Sequence, residues 1–285
     1  MAAYHKVPSS QFKVSAGVSG VLLFIKFNVP SSKFQVPSNH KVQSSNLKVQ
    51  SKLKALLSST YFGPIQWYQK LNRYDECLIE RHESFIKQTY RNRMLIPTTN
   101  GPLALTIPTN HDISLSMKDI RISDHANWRH VHWNALLSAY GESPFFEYYQ
   151  DDIRPFYEKK YEFLFDFNME TTAKMIELLD IRPKISVTDE YVLSEERRVK
   201  SEERKVKSEE FNSPEAQAQF NIQHSTFNTQ ISDFRDAIRP KKPLPDPEFE
   251  SKRYYQVYEQ KHGFQPNMSI LDLLFNEGNE AIFYL

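Results

Sequence analysis

Cysteine and long apolar runs are both scarce in this sequence, and each absence limits what the protein can be. The single cysteine, Cys77, excludes an internal disulfide and suits a reducing compartment. Its place in an apolar run predicts a buried, unreactive thiol. The apolar run at residues 21–25 is too short to span a bilayer as a helix, and Lys26 interrupts it. We therefore expect no membrane insertion.

Acidic residues are missing from the start of the chain. None occurs before Asp75, whereas eight lysines lie between Lys6 and Lys54, so a basic tail precedes an acidic body although the net charge is only +1. A secretory signal is an alternative interpretation of the tail, but no small-residue cleavage site follows its apolar segment. Lysines diluted with serine and glutamine make only a loose patch, so we do not expect a nucleic-acid partner.

Two tracts of the chain repeat their own sequence. VPSS occurs at residues 7–10 and again at 29–32, and RVKSEE from Arg198 is followed by KVKSEE from Lys205. Such segments bury too little apolar surface to offset the entropy lost on ordering. We predict that residues 1–55 are a low-complexity, disordered or misassigned extension. Residues 56–285 would form one domain, with a repeat-derived insertion at about 194–230.

The first half of the predicted domain favours strands. β-prone runs bounded by turn residues lie at residues 56–62, 76–81, 91–98 and 103–108. Asn100-Gly101 separates the last two runs, which is typical of a β-hairpin, although Pro102 argues against a simple two-residue turn. Gly63-Pro64 ends the first run and suits the start of a helix over residues 65–71.

The second half of the predicted domain favours helices. Apolar residues from Trp128 to Tyr140 follow helical spacing. Further helices are expected over residues 145–149, 153–165 and 169–179, the last with Asn168 as N-cap. Ser269 and Asp272 have the spacing of a capping box before an apolar run. This order of elements predicts an α+β fold, with a small mixed sheet and a β-hairpin packed against a cluster of helices.

The densest group of chemically useful side chains lies in HESFIKQTYRNR, residues 82–93. His82 and Glu83 follow a predicted strand, and a histidine beside a carboxylate can act as a general base near neutral pH. A surface dipeptide at a turn is an equally good interpretation. No second histidine stands at position 86, so this is not the zinc-protease pattern, and we assign no metal ligands.

Arg91 and Arg93 would share one face of a strand, with Lys87 near them in the preceding turn and Asn92 on the other face. Two adjacent guanidinium groups bind phosphate or carboxylate in bidentate fashion. Solvated arginines on an exposed face of the sheet are the alternative. We keep these four residues as candidates for substrate binding.

Gln66 and His132 complete the candidate binding residues. Gln66 stands at a helix start and offers an amide to a sugar hydroxyl. His132 lies in the apolar stripe of a predicted helix, which is typical of a hydrogen-bonded core histidine, and it is a minor site candidate. His130 and His132 are two positions apart on that helix, so they cannot bind one metal ion together.

Several separated segments resemble one protein family. They are FGPIQWYQKL, HESFIKQTYRNRMLI, TNGPLALTIP, NWRHVHWNALLSAYGESPFFEYY and PNMSILDLLFNEG. In this order they are similar to motifs of the WbqC-like protein family of bacteria, and most of all to its short Bacteroidetes-type members. The likeness covers the domain on both sides of the repeat at about 194–230. Longer members carry a Gly- and Ser-containing segment before the C-terminal motif, where this chain has polar repeats.

The resemblance implies a cytoplasmic role in making bacterial surface polysaccharide of the O-antigen type. One hypothesis is a transferase acting on an amino sugar or nucleotide-sugar, with His82 as base, Glu83 as its partner, and Arg91 and Arg93 as an anion clamp. The second is a non-catalytic sugar-binding or assembly protein beside other biosynthetic enzymes. The third is a metal-assisted hydrolase, which the lack of metal-ligand spacing weakens. The acid/base pair beside two arginines favours the transferase, and its cofactor is unknown.

Overall fold

The computed structural model describes residues 53–110, 115–193 and 231–285, which contain eight β-strands. In chain order they are β1 (Lys54–Ser58), β2 (Glu76–Glu80), β3 (Arg93–Thr98), β4 (Gly101–Thr106), β5 (Thr109–Asn110), β6 (Arg121–Ile122), β7 (Ile185–Val187) and β8 (Ile231–Asp233). The predicted insertion and nearly all of the predicted extension lie outside the described residues. β1 begins at Lys54, inside the span that the sequence assigned to the extension.

One α-helix lies between the first two strands, four follow one another after β6, and two come after β8. They are α1 (Ile65–Arg73), α2 (Trp128–Tyr140), α3 (Phe146–Ile153), α4 (Pro155–Glu158), α5 (Leu164–Leu178), α6 (Glu259–His262) and α7 (Ile270–Glu277). The predicted helices at 65–71 and from Trp128 to Tyr140 are confirmed. Asn168, predicted as an N-cap, instead lies within α5. In the described part of the chain, none of the helices has the length and apolar character needed to cross a membrane.

Four strands form a sheet in which every neighbouring pair is parallel, in the order β7-β2-β1-β8. α1 connects β1 to β2, so these elements make a β-α-β crossover. The central strand β1 is buried on both faces, because Ala55, Leu56 and Leu57 are all at most 1% exposed. This explains why its sequence is a continuous apolar run rather than an alternating one. The parallel arrangement brings the carboxyl ends of all four strands to one edge.

Cys77 in β2 confirms the prediction of a buried thiol. Burial, together with the neighbouring Glu76 carboxylate, raises the pKa of the Cys77 thiol to about 12. The thiol is therefore uncharged at neutral pH and has little nucleophilic character.

The predicted hairpin is confirmed as the antiparallel pair β3–β4, which runs from Arg93↔Thr106 to Thr98↔Gly101. Thr99 and Asn100 form its loop. Gly101 opens β4 with a φ of +96°, a conformation that glycine adopts easily. β5 and β6 form a second antiparallel pair. A parallel sheet, separate antiparallel pairs and packed helices together confirm the predicted α+β fold.

The starts of α1 and α7 join two segments that are far apart in the sequence. Ile65 N–H donates to the Met268 carbonyl at 3.1 Å, and Ile270 N–H donates to the Gly63 carbonyl at 2.9 Å. Gly63 is needed here because a Cβ atom would lie 2.4 Å from Thr60 Oγ1. These contacts fasten the C-terminal helix onto the β-α-β unit.

Ser269 caps α7, but the predicted capping box is wrong. Ser269 Oγ accepts a hydrogen bond from Leu271 N–H at 3.4 Å and donates one to the Phe62 carbonyl at 2.7 Å. The backbone N–H of Ser269 donates to the Leu95 carbonyl at 2.8 Å. That donor is therefore occupied, and Asp272 cannot complete the reciprocal pair.

Asp272 is instead the centre of a buried polar cluster. Tyr254 Oη donates to Asp272 Oδ2 at 2.5 Å and Gln256 Nε2 donates to the same oxygen at 2.7 Å. Asn276 Nδ2 donates to Oδ1 at 3.2 Å. Burial raises the pKa of Asp272 to about 6, although the hydrogen bonds from Tyr254 and Gln256 act in the opposite direction.

We expect Asp272 to make stability depend on pH. Its folded-state pKa is above the ordinary value of 3.8, so the folded protein binds the proton more tightly and is favoured at low pH. As the pH rises from 3.8 to about 6, the free energy of unfolding should fall relative to Asp272→Asn. The change should be on the order of 3 kcal/mol. Urea unfolding of both proteins across this interval measures it, and a difference that does not vary with pH would contradict it.

Candidate functional site

The carboxyl ends of β1, β2 and β8 carry polar side chains to one edge of the parallel sheet. Ser58, Glu80 and Asp233 are the last residues of these strands. In open sheets with parallel strands, ligands bind outside the carboxyl ends, where the strand order reverses. Here the reversal lies between β1 and β8, because β2 and β8 flank β1 on opposite sides. We call this end of the sheet, which carries Ser58, Glu80 and Asp233, the charged edge. It is the candidate functional site.

Glu83 and Arg91 form a buried, bidentate ion pair at the edge. Arg91 Nε donates to Glu83 Oε1 at 2.8 Å, and Arg91 Nη2 donates to Glu83 Oε2 at 2.5 Å. Ser58 Oγ accepts from Arg91 Nη2 at 2.9 Å and donates to Glu83 Oε2 at 3.1 Å. The arginine and glutamate side chains are only 3% and 7% exposed. Each therefore neutralises the other in a site with little water.

Two neighbours hold Arg91 in this position. Thr89 Oγ1 accepts from Arg91 Nη1 at 3.2 Å. Asn168, inside α5, donates from Nδ2 to the Arg91 carbonyl at 2.8 Å and to Ser59 Oγ at 3.2 Å. Asn168 thus fixes α5 to the edge of the sheet, which is the reason for a buried polar residue within that helix.

Glu80 and Arg235 form a second buried group at the same edge. Glu80 Oε1 accepts from the backbone N–H of His82 at 2.8 Å and from Thr188 Oγ1 at 2.8 Å. Arg235 Nη1 lies 3.7 Å from Glu80 Oε2. Arg235 also donates to both carboxylate oxygens of Asp233, from Nε at 3.0 Å and from Nη2 at 2.7 Å. β2 and β8 are therefore linked through charged side chains at their ends, and the Thr188 hydroxyl links β7 to Glu80.

A small cavity lies beside Arg91 and Arg235. Its volume is about 10 Å³, and Ser58 and Thr60 line it together with both arginines. This is about enough space for one water molecule. Thr60 Oγ1 and Arg235 Nη1 are buried and have no hydrogen-bond partner among the described residues. Buried polar atoms of this kind are rare in native proteins and often mark a place completed by water or ligand.

Arg235 keeps its charge despite being buried. Burial alone would lower its pKa, but the hydrogen bonds to Asp233 and the negative charges of Asp233 and Glu83 raise the pKa above its ordinary value. An arginine that is charged, buried and only partly paired attracts an oxygen-rich ligand.

His82 lies at the end of β2 but does not pair with Glu83 as expected. Its Nε2 accepts from Arg81 Nε at 3.1 Å, and its side chain is partly exposed. No hydrogen bond joins His82 to Glu83 in the described structure, because Glu83 is occupied by Arg91 and Ser58. Glu83 is therefore a structural partner of Arg91, and a catalytic role for His82 would have to be carried out without it.

The predicted clamp of neighbouring arginines is not formed. Arg91 lies in the turn before β3 and turns inward, so it does not share a strand face with Arg93. Arg93 Nε donates to Thr106 Oγ1 at 2.9 Å, across the hairpin. Asn92 is buried and donates to a backbone carbonyl at 2.9 Å, and Lys87 is exposed. Of these four candidates, the structure brings only Arg91 to the charged edge.

Gln66 and His132 are engaged in other contacts. Gln66 Nε2 donates to Asp246 Oδ2 at 2.8 Å, and Gln66 Oε1 accepts from Asn267 Nδ2 at 3.1 Å, so both ends of its amide are occupied. His132 is buried, and its Nδ1 forms a hydrogen bond with Tyr61 Oη at 2.9 Å. Burial lowers the pKa of His132 to about 4, so the ring is neutral at physiological pH. The interpretation of His132 as a core histidine is confirmed.

Sequence reasoning missed most of the charged edge. The hydroxyl run Ser58-Ser59-Thr60 directly after an apolar strand was a visible signal. Glu80 ends a strand that was predicted correctly, but no local pattern pairs it with Arg235. Across residues 53–110, 115–193 and 231–285, no group of three or more histidine, cysteine, aspartate or glutamate side chains is placed to hold a metal ion.

The fold and this edge define an α+β protein with a charged cluster at the carboxyl end of a parallel sheet. The chain belongs to the WbqC-like protein family, which it matches over residues 58–284. It is also similar to the uncharacterized protein Rv1507c of Mycobacterium tuberculosis (strain ATCC 25618 / H37Rv), with 25% identity over 237 residues. That alignment covers 82% of this chain and 97% of the mycobacterial protein. No solved structure matches the chain.

Glu83→Gln should destabilise the protein strongly, because it leaves the Arg91 guanidinium buried without its counter-charge. We expect a loss of about 3–5 kcal/mol in the free energy of unfolding. Lys87→Gln, in the same loop but exposed, should change it by less than about 0.5 kcal/mol. Urea denaturation of the two variants tests the difference. Equal stability of both variants would show that the ion pair does not hold this edge together.

Proposed function

We propose that the protein is a cytoplasmic transferase that acts on an amino sugar or nucleotide-sugar during synthesis of bacterial surface polysaccharide of the O-antigen type. Membership of the WbqC-like family supports the general role. The observation that carries the proposal is the group of charged and hydroxyl side chains around Arg91 and Arg235, at the point where the strand order of a parallel sheet reverses. Sites at such edges bind small molecules, and sugars need many hydrogen-bonding groups of this kind.

The charge at the edge favours the amino group of a sugar over a diphosphate. Three carboxylates (Glu80, Glu83 and Asp233) face two arginines, so these five side chains carry a net charge of −1. A protonated amine would complete the balance, whereas a diphosphate would worsen it. Within this arrangement, Arg235 Nη1, which lies 3.7 Å from Glu80 but makes no hydrogen bond, and the hydroxyl of Thr60 would bind sugar oxygens.

His82 is the residue at this edge suited to accept a proton. It follows the end of β2 and is partly exposed, and imidazole is the side chain that most often serves as a base in proteins. In the proposed reaction His82 takes a proton from the bound ammonium group, and the freed lone pair of the amine then forms the new bond. The bond between the transferred group and its donor breaks in the same step, and the donor leaves with that electron pair. The Glu83–Arg91 pair then serves to position the loop that carries His82, because Glu83 is its neighbour in the chain.

A non-catalytic sugar-binding or assembly protein is the second candidate. This candidate is favoured because Glu83 and Arg91 already form an ion pair with each other, which leaves neither of them available for catalysis. For either candidate, the cavity of about 10 Å³ has to widen before a sugar enters. Such a protein would bind the same ligand but would not convert it.

A sugar nucleotide that carries an amino group should stabilise the protein. At a hundredfold excess over the dissociation constant, the melting temperature should rise by about 5 °C or more. Arg235→Lys should reduce this rise, because lysine lacks the planar fork of donors that arginine has. The rise in each variant is measured against the melting temperature of the same variant without ligand. Arg239→Lys is the matched control, since Arg239 lies four residues away and pairs with Asp236. If no sugar, amino sugar or sugar nucleotide raises the melting temperature, the proposal fails.

His82→Ala separates the two candidates. For a transferase, the variant should keep its ligand-induced stabilisation but lose turnover by about 100-fold or more, the usual contribution of a general base. Product formation from amino sugars or sugar nucleotides, followed by mass spectrometry, measures it. Lys87→Ala, in the same loop, should retain full turnover. Unchanged turnover in His82→Ala would remove the catalytic role of His82 and favour the binding protein.

A further inference from the structure

An open cleft lies beside α2 and α4, on elements other than the strands of the charged edge. Its volume is about 500 Å³, within the range of about 300–1,000 Å³ that is typical of small-molecule sites. Three long cationic side chains line it, Arg129, Arg154 and Lys160. Trp133 and Tyr157 add an aromatic wall. We call this the basic cleft, and neither the family match nor the proposed function assigns it a ligand.

The cations of the basic cleft outnumber its carboxylates. Asp124 pairs with both Arg129 at 2.5 Å and Lys160 at 2.9 Å, and Glu158 pairs with Arg154 at 2.6 Å. One surplus positive charge therefore remains. The side chains of Arg154 and Lys160 are 57% and 79% exposed, and exposed pairs of this kind are weak enough to be replaced by a bound anion.

Arg129 has unused hydrogen-bonding capacity. Its side chain is only 11% exposed and lies over the Trp128 ring at 4.6 Å. Nη1 pairs with Asp124, but Nε and Nη2 are buried and have no hydrogen-bond partner in the described part of the protein. Buried guanidinium donors without partners are costly, and an anion that enters beside them recovers that cost. The position at the start of α2 adds the partial positive charge of the helix dipole.

Trp133 provides a flat surface next to these cations. Its ring packs against Tyr157 at 5.8 Å and Phe146 at 6.2 Å between centroids, which fixes its orientation. A fixed aromatic ring beside a row of cations matches a ligand with a flat base at one end and phosphates at the other.

We propose that the basic cleft binds a nucleoside diphosphate. Arg129, Arg154 and Lys160 would hold the phosphates, and Trp133 would contact the base. This inference concerns a second site and does not depend on catalysis at the sheet edge.

The two sites are connected through the side chains of Tyr157 and Tyr61. Tyr157, in the wall of the basic cleft, shares a hydrogen bond of 2.8 Å with Tyr61 Oη. The backbone N–H of Tyr61 donates to the Tyr90 carbonyl at 2.9 Å, directly before Arg91. A nucleotide in the cleft would therefore lie on the far side of Tyr61 from the charged edge.

Titration calorimetry with UDP, ADP and inorganic phosphate tests the inference on the full-length protein. A nucleoside diphosphate should bind, and Arg154→Gln and Lys160→Gln should each weaken binding by about tenfold. Lys159→Gln is the matched control, because this neighbouring lysine is 58% exposed and pairs with Glu170 rather than with a residue of the cleft. Trp133→Leu should weaken the nucleotides more than inorganic phosphate. Higher salt should weaken binding in every case, as expected of exposed charges.

Several outcomes would overturn the inference. One is the absence of binding by either nucleotide at millimolar concentration. Another is equal loss of affinity in Lys159→Gln and Lys160→Gln. A third is a nucleotide whose binding is lost in Arg235→Lys but unchanged in Arg154→Gln, which would place it at the sheet edge and leave the proposed function standing. Nucleotide binding that depends on the cleft, in a protein without transferase activity, would support the inference and reject the proposed function.

Discussion

The carboxylates buried at the end of the parallel sheet each need a nearby cation. This requirement determines how separate parts of the chain pack together. Removing a carboxylate from water costs several kcal/mol unless a cation and hydrogen bonds replace the lost hydration. Glu83 meets that cost with Arg91, and Glu80 and Asp233 meet it with Arg235. Since these arginines come from the approach to β3 and from the end of β8, separate parts of the chain must assemble together before either charge is stable.

Several residues of the family motifs hold elements of the fold together rather than face the candidate site. Gln66 and Asn267 belong to different motifs, and they hydrogen-bond to each other where α1 and α7 begin. Asp272 collects hydrogen bonds from Tyr254, Gln256 and Asn276. Polar residues in these positions specify one arrangement of the helices, because any other arrangement would leave buried donors and acceptors unpaired. A motif position is thus weak evidence for catalysis until its side chain is seen to face a cavity.

Features that depend on local sequence were predictable, and features that depend on distant partners were not. The β3–β4 hairpin and α2 follow from turn chemistry and apolar spacing within a few residues. Asparagine is a residue type favoured at N-caps, but the side-chain amide of Asn168 donates a hydrogen bond to the buried Arg91 carbonyl instead. Arg91 and Arg93 alternate as strand residues would, yet the charge of Glu83 turns Arg91 into the interior. In each failure a buried partner outside the local element, 77 residues away for Asn168 and eight for Arg91, outweighed a local preference worth about 1 kcal/mol.

The charged edge and the basic cleft differ in the sign of their net charge. The sheet edge has more carboxylates than arginines, and the basic cleft has more cations than carboxylates. Between them, burial lowers the pKa of His132 to about 4 and raises the pKa of Tyr61, so the linking side chains stay uncharged. Buried, uncharged side chains screen the electrostatic interaction between the two sites less than water would. The field of each site therefore reaches the other, so an anion in the basic cleft and a cation at the sheet edge would each be favoured by the charge of its own site and would attract one another.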